Sequence, residues 1–92
     1  MTGELRTTPW SRAALMRLGI ELEEVRARIP AGYAVHVSER RPNGPWYVRL
    51  FEREGMRSRE LTKFSKTAPG NPDLGFALDY VIGMAQGAAR GS

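Results

Sequence analysis

The sequence contains no cysteine and only one histidine, His36. Without cysteine the chain has no disulfide framework, no thiolate metal site and no cysteine nucleophile. A single histidine provides no cluster of metal ligands, and no Ser-His-Asp arrangement can be argued from spacing alone. We therefore expect a protein that is not an enzyme, with no catalytic residue, no metal and no cofactor.

Long apolar runs are also missing. No run approaches the ~20 residues that are needed to span a bilayer, and residues 1–6 lack the apolar core of a signal peptide. We expect a cytoplasmic protein without a membrane partner. The 92 residues form one domain, 1–92, and 41% hydrophobic with 26% charged residues is typical of a folded chain.

The first predicted helix covers about residues 9–29. Thr8 is a favourable N-cap, and Pro9 suits the first helical position because its missing N–H would be unpaired there. Gly19 marks a bend or a close contact, and the sequence Pro30-Ala31-Gly32 ends the helix. Apolar residues recur at spacings of three and four and form one stripe that we expect to pack against a sheet: Leu15, Leu18, Leu22, Val25 and Ile29.

The last predicted helix covers about residues 72–89 and begins with a similar signal, Asn71-Pro72-Asp73. Its predicted core positions are Leu74, Ala77, Leu78, Val81, Met84 and Ala85. Another side carries Gly75, Gly83 and Gly87, which permit close backbone approach. This side either receives a second copy of the chain, which gives a homodimer, or packs against the first helix of the same chain.

A β-meander is predicted over about residues 33–65. Val35 and Val37 alternate with His36 and Ser38, as in a strand with one buried face. Pro42 and Pro45 flank Asn43-Gly44 and lack the N–H that closes a two-residue turn, so we predict a four-residue loop. Val37 then lies opposite Leu50, and Arg41 opposite Trp46. In this register the outer face carries His36, Ser38, Arg40, Tyr47, Arg49, Phe51 and Arg53, and the inner face Val35, Val37, Trp46, Val48 and Leu50.

The third strand, from about residue 57 to 64, has two candidate registers. A two-residue turn places Arg57, Arg59 and Lys63 on the core side, where burial of charge is costly. One extra loop residue places them on the outer face and turns Thr62 and Phe64 inward. We favour the second register because unpaired buried charge carries the larger penalty.

These elements predict an α+β fold: a single two-layer domain of order α-β-β-β-α, with two helices on one face of a three-stranded antiparallel sheet. The order resembles the topology of double-stranded-RNA-binding domains, although those domains begin their second helix with lysines where this chain has Asp73. The segment Trp46-Tyr47-Val48-Arg49 is similar to the aromatic-then-basic second strand of the arm-type DNA-binding domains of phage-type integrases. Both resemblances imply a nucleic-acid partner.

The net charge is concentrated in the meander. Residues 33–66 hold eight Arg or Lys and four Glu, so this segment alone carries +4, the net charge of the whole chain. Cations interleaved with aromatic residues are typical of surfaces that contact phosphates and bases. We therefore predict a binding module that engages a nucleic-acid backbone, or a nucleic-acid-handling complex, through Arg40, Arg41, Tyr47, Arg49, Phe51, Arg53, Arg57, Arg59 and Lys63.

A protein partner is the alternative, because tyrosine, tryptophan and arginine also dominate protein interfaces. The chain resembles, in size and character, the small cysteine-free inhibitors and regulators that phages and mobile elements encode, of which anti-CRISPR proteins are one class. That resemblance implies docking of the same face on an acidic protein surface.

Overall fold

The computed structural model describes residues 2–39, 46–67 and 73–91, with the backbone alone at residues 63–67 and 73. Its elements are, in chain order, β1 (Glu4–Thr7), α1 (Pro9–Arg17), α2 (Leu22–Arg28), β2 (Tyr33–Glu39), β3 (Trp46–Glu54), β4 (Arg57–Thr67) and α3 (Asp73–Gly91). The strands form one mixed sheet in the order β1-β2-β3-β4, in which β1 is parallel to β2 and the other neighbours are antiparallel. The α+β class is confirmed, but the described sheet has four strands where we predicted three.

The strand that the sequence did not predict is β1, at one edge of the sheet. Leu5 lies opposite Val35, and the Gly3 N–H donates to the Ile29 carbonyl oxygen over 2.7 Å. These contacts join positions about thirty residues apart, so no local turn signal announces them. As a result, Glu4 and Arg6 are part of the sheet and lie next to β2, the first strand of the meander.

The predicted helix over residues 9–29 is wrong as a single element, since the structure has α1 and α2 in its place. Gly19 lies between them with φ 76°, a left-handed conformation that ends α1 and that favours glycine. The predicted start is confirmed, because Thr8 Oγ1 accepts from the Ser11 N–H over 3.1 Å. The Ser11 hydroxyl is buried and donates to the Val37 carbonyl oxygen over 2.7 Å, which fastens α1 to β2.

The core lies between the three helices and the inner face of the sheet. Val35, Val48 and Leu50 are almost fully buried, as alternation predicted. Each such side chain contributes roughly 1.5–3 kcal/mol when it leaves water. The helices, with Ile29 directly after α2, supply the other half of this core: Ala14, Leu15, Val25, Ile29, Leu74, Ala77, Leu78, Val81, Ile82 and Ala85.

The β2–β3 register differs by two residues from the predicted one. Val37 lies opposite Val48 instead of Leu50, and Trp46 lies opposite Glu39 instead of Arg41. A shift of two residues keeps every side chain on its predicted face, because strand side chains alternate with a period of two.

The β3–β4 turn is the two-residue form that we had rejected. Gly55 and Met56 form it, with Gly55 at φ 63°, and Glu54 lies opposite Arg57. Arg59 accordingly lies opposite Glu52 on the helix side, so the prediction that Arg57 and Arg59 share the outer face is wrong. Both residues are exposed at the end of the sheet, and burial therefore carries no penalty there.

Beyond Leu61, a register shift of one residue gives the remainder of β4 the register that we had favoured. Glu60 lies opposite Phe51, yet Thr62 lies opposite Leu50 and position 63 opposite Arg49. The strand therefore changes face at a β-bulge. The favoured arrangement is confirmed for Thr62, which lies opposite the inner-facing Leu50, while the backbone at Lys63 aligns with the outward Arg49.

Helix α3 extends two residues beyond its predicted end and places one predicted core residue outside. Met84 is 39% exposed, whereas Ile82 is fully buried. The Asp79 carboxylate pairs with the Arg28 guanidinium at 3.0 Å, and this contact joins α3 to α2.

In the described part of the chain, no helix has the length and apolar character needed to cross a membrane.

Candidate functional site

The face of the sheet opposite the helices brings several chemically active side chains together. Along β3, residues 47, 49, 51 and 53 alternate with the buried Trp46, Val48 and Leu50, so they point away from the core. Register places residues of the other three strands beside them. We call this surface the outer face; its described polar and aromatic members are Glu4, Arg6, His36, Ser38, Tyr47, Arg49, Phe51, Arg53, Ser58 and Glu60.

Phe51 lies at the centre of the outer face. Its ring centroid is 4.4 Å from that of His36, with the planes inclined by 40°. The Arg49 guanidinium carbon lies 4.9 Å from the Phe51 centroid, a cation–π distance. The ring is partly exposed, so it offers an apolar surface between positive groups.

The arginines of the outer face are held by carboxylates. Arg49 donates to Glu60 from Nε over 2.9 Å and from Nη2 over 3.1 Å, a bidentate pair. Glu4 lies between two cations: it pairs with Arg53 through one oxygen and with Arg6 through the other, at 3.2 Å. Three arginines and two glutamates give the described outer face a charge of +1.

These contacts lower the pKa values of two groups on the outer face, Glu4 and His36, and raise that of Arg49. Partial burial would raise the pKa of Glu4, but hydrogen bonds from Arg53 and Arg6 outweigh it and lower that pKa. The pKa of His36 is lowered by burial first and then by the positive charges of Arg6 and Arg49. The hydrogen bonds to Glu60 raise the pKa of Arg49. At neutral pH the centre of the face therefore holds a neutral imidazole among charged guanidinium groups.

A hollow of about 80 Å³ opens beside Phe51. Its lining includes the side chains of Arg6, His36, Arg53 and Ser58. An anionic oxygen placed there would meet two guanidinium groups and a hydroxyl donor, the set that binds phosphate or carboxylate. Within the described residues, no group of three His, Cys, Asp or Glu is arranged to hold a metal ion.

Four predicted site residues lie together on the outer face: Tyr47, Arg49, Phe51 and Arg53. Arg57 and Arg59 lie on the other side of the sheet, where Arg59 pairs with Glu52 at 3.4 Å. Only the backbone of Lys63 is described, opposite Arg49. The predictions for Arg40 and Arg41 fall outside the described residues.

The sequence reasoning missed the acidic members of the site and its edge strand. Glu4 and Arg6 flank Leu5 in an alternating pattern that would have indicated a short strand. Glu60 was counted as one of the meander's acids but was not placed next to Arg49. That contact depends on the two-residue turn, which charge arguments had led us to reject.

The fold and this face define a small α+β protein in which one side of a mixed sheet is covered by helices and the other carries paired charges and rings. In comparisons with known proteins, no family model, no curated protein and no solved structure matches the chain.

Proposed function

We propose that the protein is a non-catalytic module that binds a nucleic-acid backbone, alone or within a nucleic-acid-handling complex, through the outer face. The observation that carries the proposal is the cluster of Arg6, Arg49 and Arg53 around the partly exposed ring of Phe51. Guanidinium groups are the preferred partners of phosphate, and an aromatic ring between them gives a base a surface on which to stack.

The spacing of the cations suits an extended anionic chain. Arg49 and Arg53 are four residues apart on β3, which corresponds to about 13 Å along the strand. Arg6 lies two strands away from them, across β2. Lys63 and the loop cations Arg40 and Arg41 belong to the proposal on the sequence pattern alone.

The carboxylates on the outer face act as exchangeable partners in this proposal. Partly exposed ion pairs contribute only about 0–1 kcal/mol, so a phosphate can replace Glu4 or Glu60 at modest cost. Binding then depends on neutralisation of phosphates and has little base preference. The absence of cysteine suits a reducing compartment such as the cytoplasm, where such a partner would be met.

Fluorescence anisotropy with labelled single-stranded DNA, duplex DNA and RNA tests the proposal. The double variant Arg49→Gln, Arg53→Gln should lose at least tenfold in affinity at about 50 mM salt, and wild-type binding should weaken steeply by about 200 mM. The matched control is Arg12→Gln, Arg17→Gln, which removes the same charge from exposed positions of α1. Absence of binding to all three probes at low salt would overturn the proposal.

An acidic protein surface is the second candidate, and the fixed pattern of the outer face favours it. Glu4 and Glu60 hold three arginines at fixed positions with a charge of +1, which suits a folded acidic surface whose carboxylates lie at matching positions. This is the mode of a phage-type inhibitor or regulator. Capture of a partner that survives nuclease treatment and is lost in the Arg49→Gln, Arg53→Gln variant would favour it over nucleic acid.

A further inference from the structure

The carboxylate of Glu4 occupies an anion position on the outer face. Its Oε1 accepts from Arg6 Nε over 3.2 Å, and its Oε2 accepts from the Arg53 guanidinium. The two arginines belong to β1 and β3, which lie on either side of β2 in the sheet. Guanidinium groups from two separate strands therefore converge on one anionic group, which in the structure is a carboxylate of the chain itself.

The same two arginines line the hollow of about 80 Å³, where His36 and Ser58 add further hydrogen-bonding side chains. The short side chain of Ala34, on the outer side of β2, also lines this space and leaves it open. Pockets that enclose whole small molecules measure ~300–1,000 Å³. The hollow is much smaller, so it suits one compact charged group and not a base with its sugar.

An internal phosphate of a nucleic acid offers the two arginines little that Glu4 does not already supply. Like the carboxylate, a phosphodiester carries one negative charge and two free oxygens, so the exchange replaces one monoanion with another. A terminal phosphate monoester carries between one and a half and two charges near pH 7 and has three strong acceptor oxygens. It can satisfy both arginines and still accept a hydrogen bond from the Ser58 hydroxyl.

We propose that the hollow binds the terminal phosphate of a nucleic acid, which displaces the Glu4 carboxylate from the two arginines. The preference for a phosphorylated end rests on the proposed function and adds an end-specific contact to the backbone binding described above. Phe51 lines the hollow and Arg49 is the next outward residue along β3. The first base can therefore stack on the ring while the following phosphate reaches Arg49.

Oligonucleotides of one sequence, with an internal fluorescent label and either a phosphate or a hydroxyl at the 5′ or the 3′ end, test the proposal by anisotropy. A phosphate at one of the two ends should tighten binding at least about tenfold, because a hydrogen bond to a charged group contributes about that much. A hydroxyl-ended oligonucleotide one nucleotide longer controls for total charge. It should bind like the shorter hydroxyl-ended one.

Two matched pairs of variants locate the effect. Arg6→Gln and Ser58→Ala change the hollow, and each should reduce the preference for a phosphorylated end to about twofold or less. Arg49→Gln and Ser38→Ala change outward positions away from the hollow and should keep the preference, even where overall affinity falls. A general disturbance of the fold would weaken both oligonucleotides alike, so the ratio of the two affinities reports on the hollow itself.

The outcomes separate the terminal contact from the proposed function. Equal binding of phosphorylated and hydroxyl-ended oligonucleotides would overturn the terminal contact and leave backbone binding in place. Equal binding of the phosphorylated oligonucleotide and the longer hydroxyl-ended one would do the same, as would a preference that persists in both Arg6→Gln and Ser58→Ala. Absence of binding to every oligonucleotide would overturn the proposed function, and the terminal contact with it.

Discussion

Glu60 accepts both hydrogen bonds of a bidentate pair from Arg49, at 2.9 Å and 3.1 Å, although the two residues are not opposite each other in the sheet. The two-residue turn at Gly55 and Met56 brings them together, because it places Glu60 opposite Phe51, next to Arg49 on the same face of β3. The pair therefore links the turn between β3 and β4 to the charge of the proposed binding surface.

Removal of the Glu60 charge should strengthen binding to a polyanion. In Glu60→Gln, Arg49 loses an ionic partner and the outer face changes from +1 to +2. We expect affinity for nucleic acid to rise about three- to tenfold at low salt, with the gain reduced at high salt. Stability should change by no more than about 1 kcal/mol, since both side chains are partly exposed. Anisotropy titrations and urea unfolding measure the two effects.

Glu23→Gln is the matched control for this prediction. Glu23 is exposed on α2 and pairs with Arg26 at 2.5 Å, so its substitution removes the same charge and the same type of contact away from the outer face. An equal gain in affinity would mean that only net charge matters. An unchanged affinity in Glu60→Gln would mean that Arg49 does not contact the ligand.

The pH dependence of stability should contain a contribution from His36. Burial and the neighbouring arginines lower its pKa in the folded protein, so the unfolded chain takes up the proton first as pH falls below about 6.5. Stability should therefore decrease as pH falls from that point, and the decrease should end once pH passes the folded pKa. Comparison of wild type with His36→Gln in urea, at pH values from about 8 to 5, isolates this contribution.

His36 is the only histidine, so its imidazole signals can be followed directly by NMR. The free protein should give a pKa below the ordinary value of about 6.5. A bound phosphate chain would offset the positive charges of Arg6 and Arg49, so saturation with nucleic acid should raise this pKa. A free-protein value at or above the ordinary one would contradict the proposed electrostatics of the outer face.

The sequence predicted those features that depend on neighbours in the chain. The Thr8 cap follows from adjacent residues, and the division of β2 and β3 into faces follows from alternation. That division survived a register error because the error was an even number of residues. Tyr47, Arg49, Phe51 and Arg53 were therefore placed on the correct face before any contact was known.

The remaining features depend on contacts that the sequence does not display. Strand β1 has one apolar residue, Leu5, and its partner strand lies far along the chain. Arg57 and Arg59 were moved to the outer face to avoid burial, but the end of the sheet leaves both exposed. The cost of burying charge does not apply where the side chains remain exposed. The register chosen on that ground kept Glu60 away from Arg49, and Glu4 was missed because β1 was not predicted.

Gly3 controls whether β1 can deliver Glu4 to the outer face. A Cβ at this position would lie 2.5 Å from the Pro30 carbonyl oxygen and from Ile29 Cγ2, and it would also clash with the Tyr33 carbonyl oxygen. Two of these atoms belong to the backbone and cannot turn aside. Gly3→Ala should therefore displace the start of β1, and we expect it to destabilise the fold by about 1–3 kcal/mol in urea unfolding, as overpacking does.

Gly83→Ala supplies the comparison for this substitution, because alanine there enters open space in an exposed helix and should stabilise by roughly 0.5–1 kcal/mol. The displacement of β1 should also move Arg6, together with Glu4, away from Phe51 and Arg53. Folded Gly3→Ala protein should then bind nucleic acid less tightly than wild type, since the arginine cluster around Phe51 loses one member. Stability equal to that of wild type would contradict the close packing of β1. Reduced stability with unchanged affinity would instead mean that β1 does not contribute to binding of the anion.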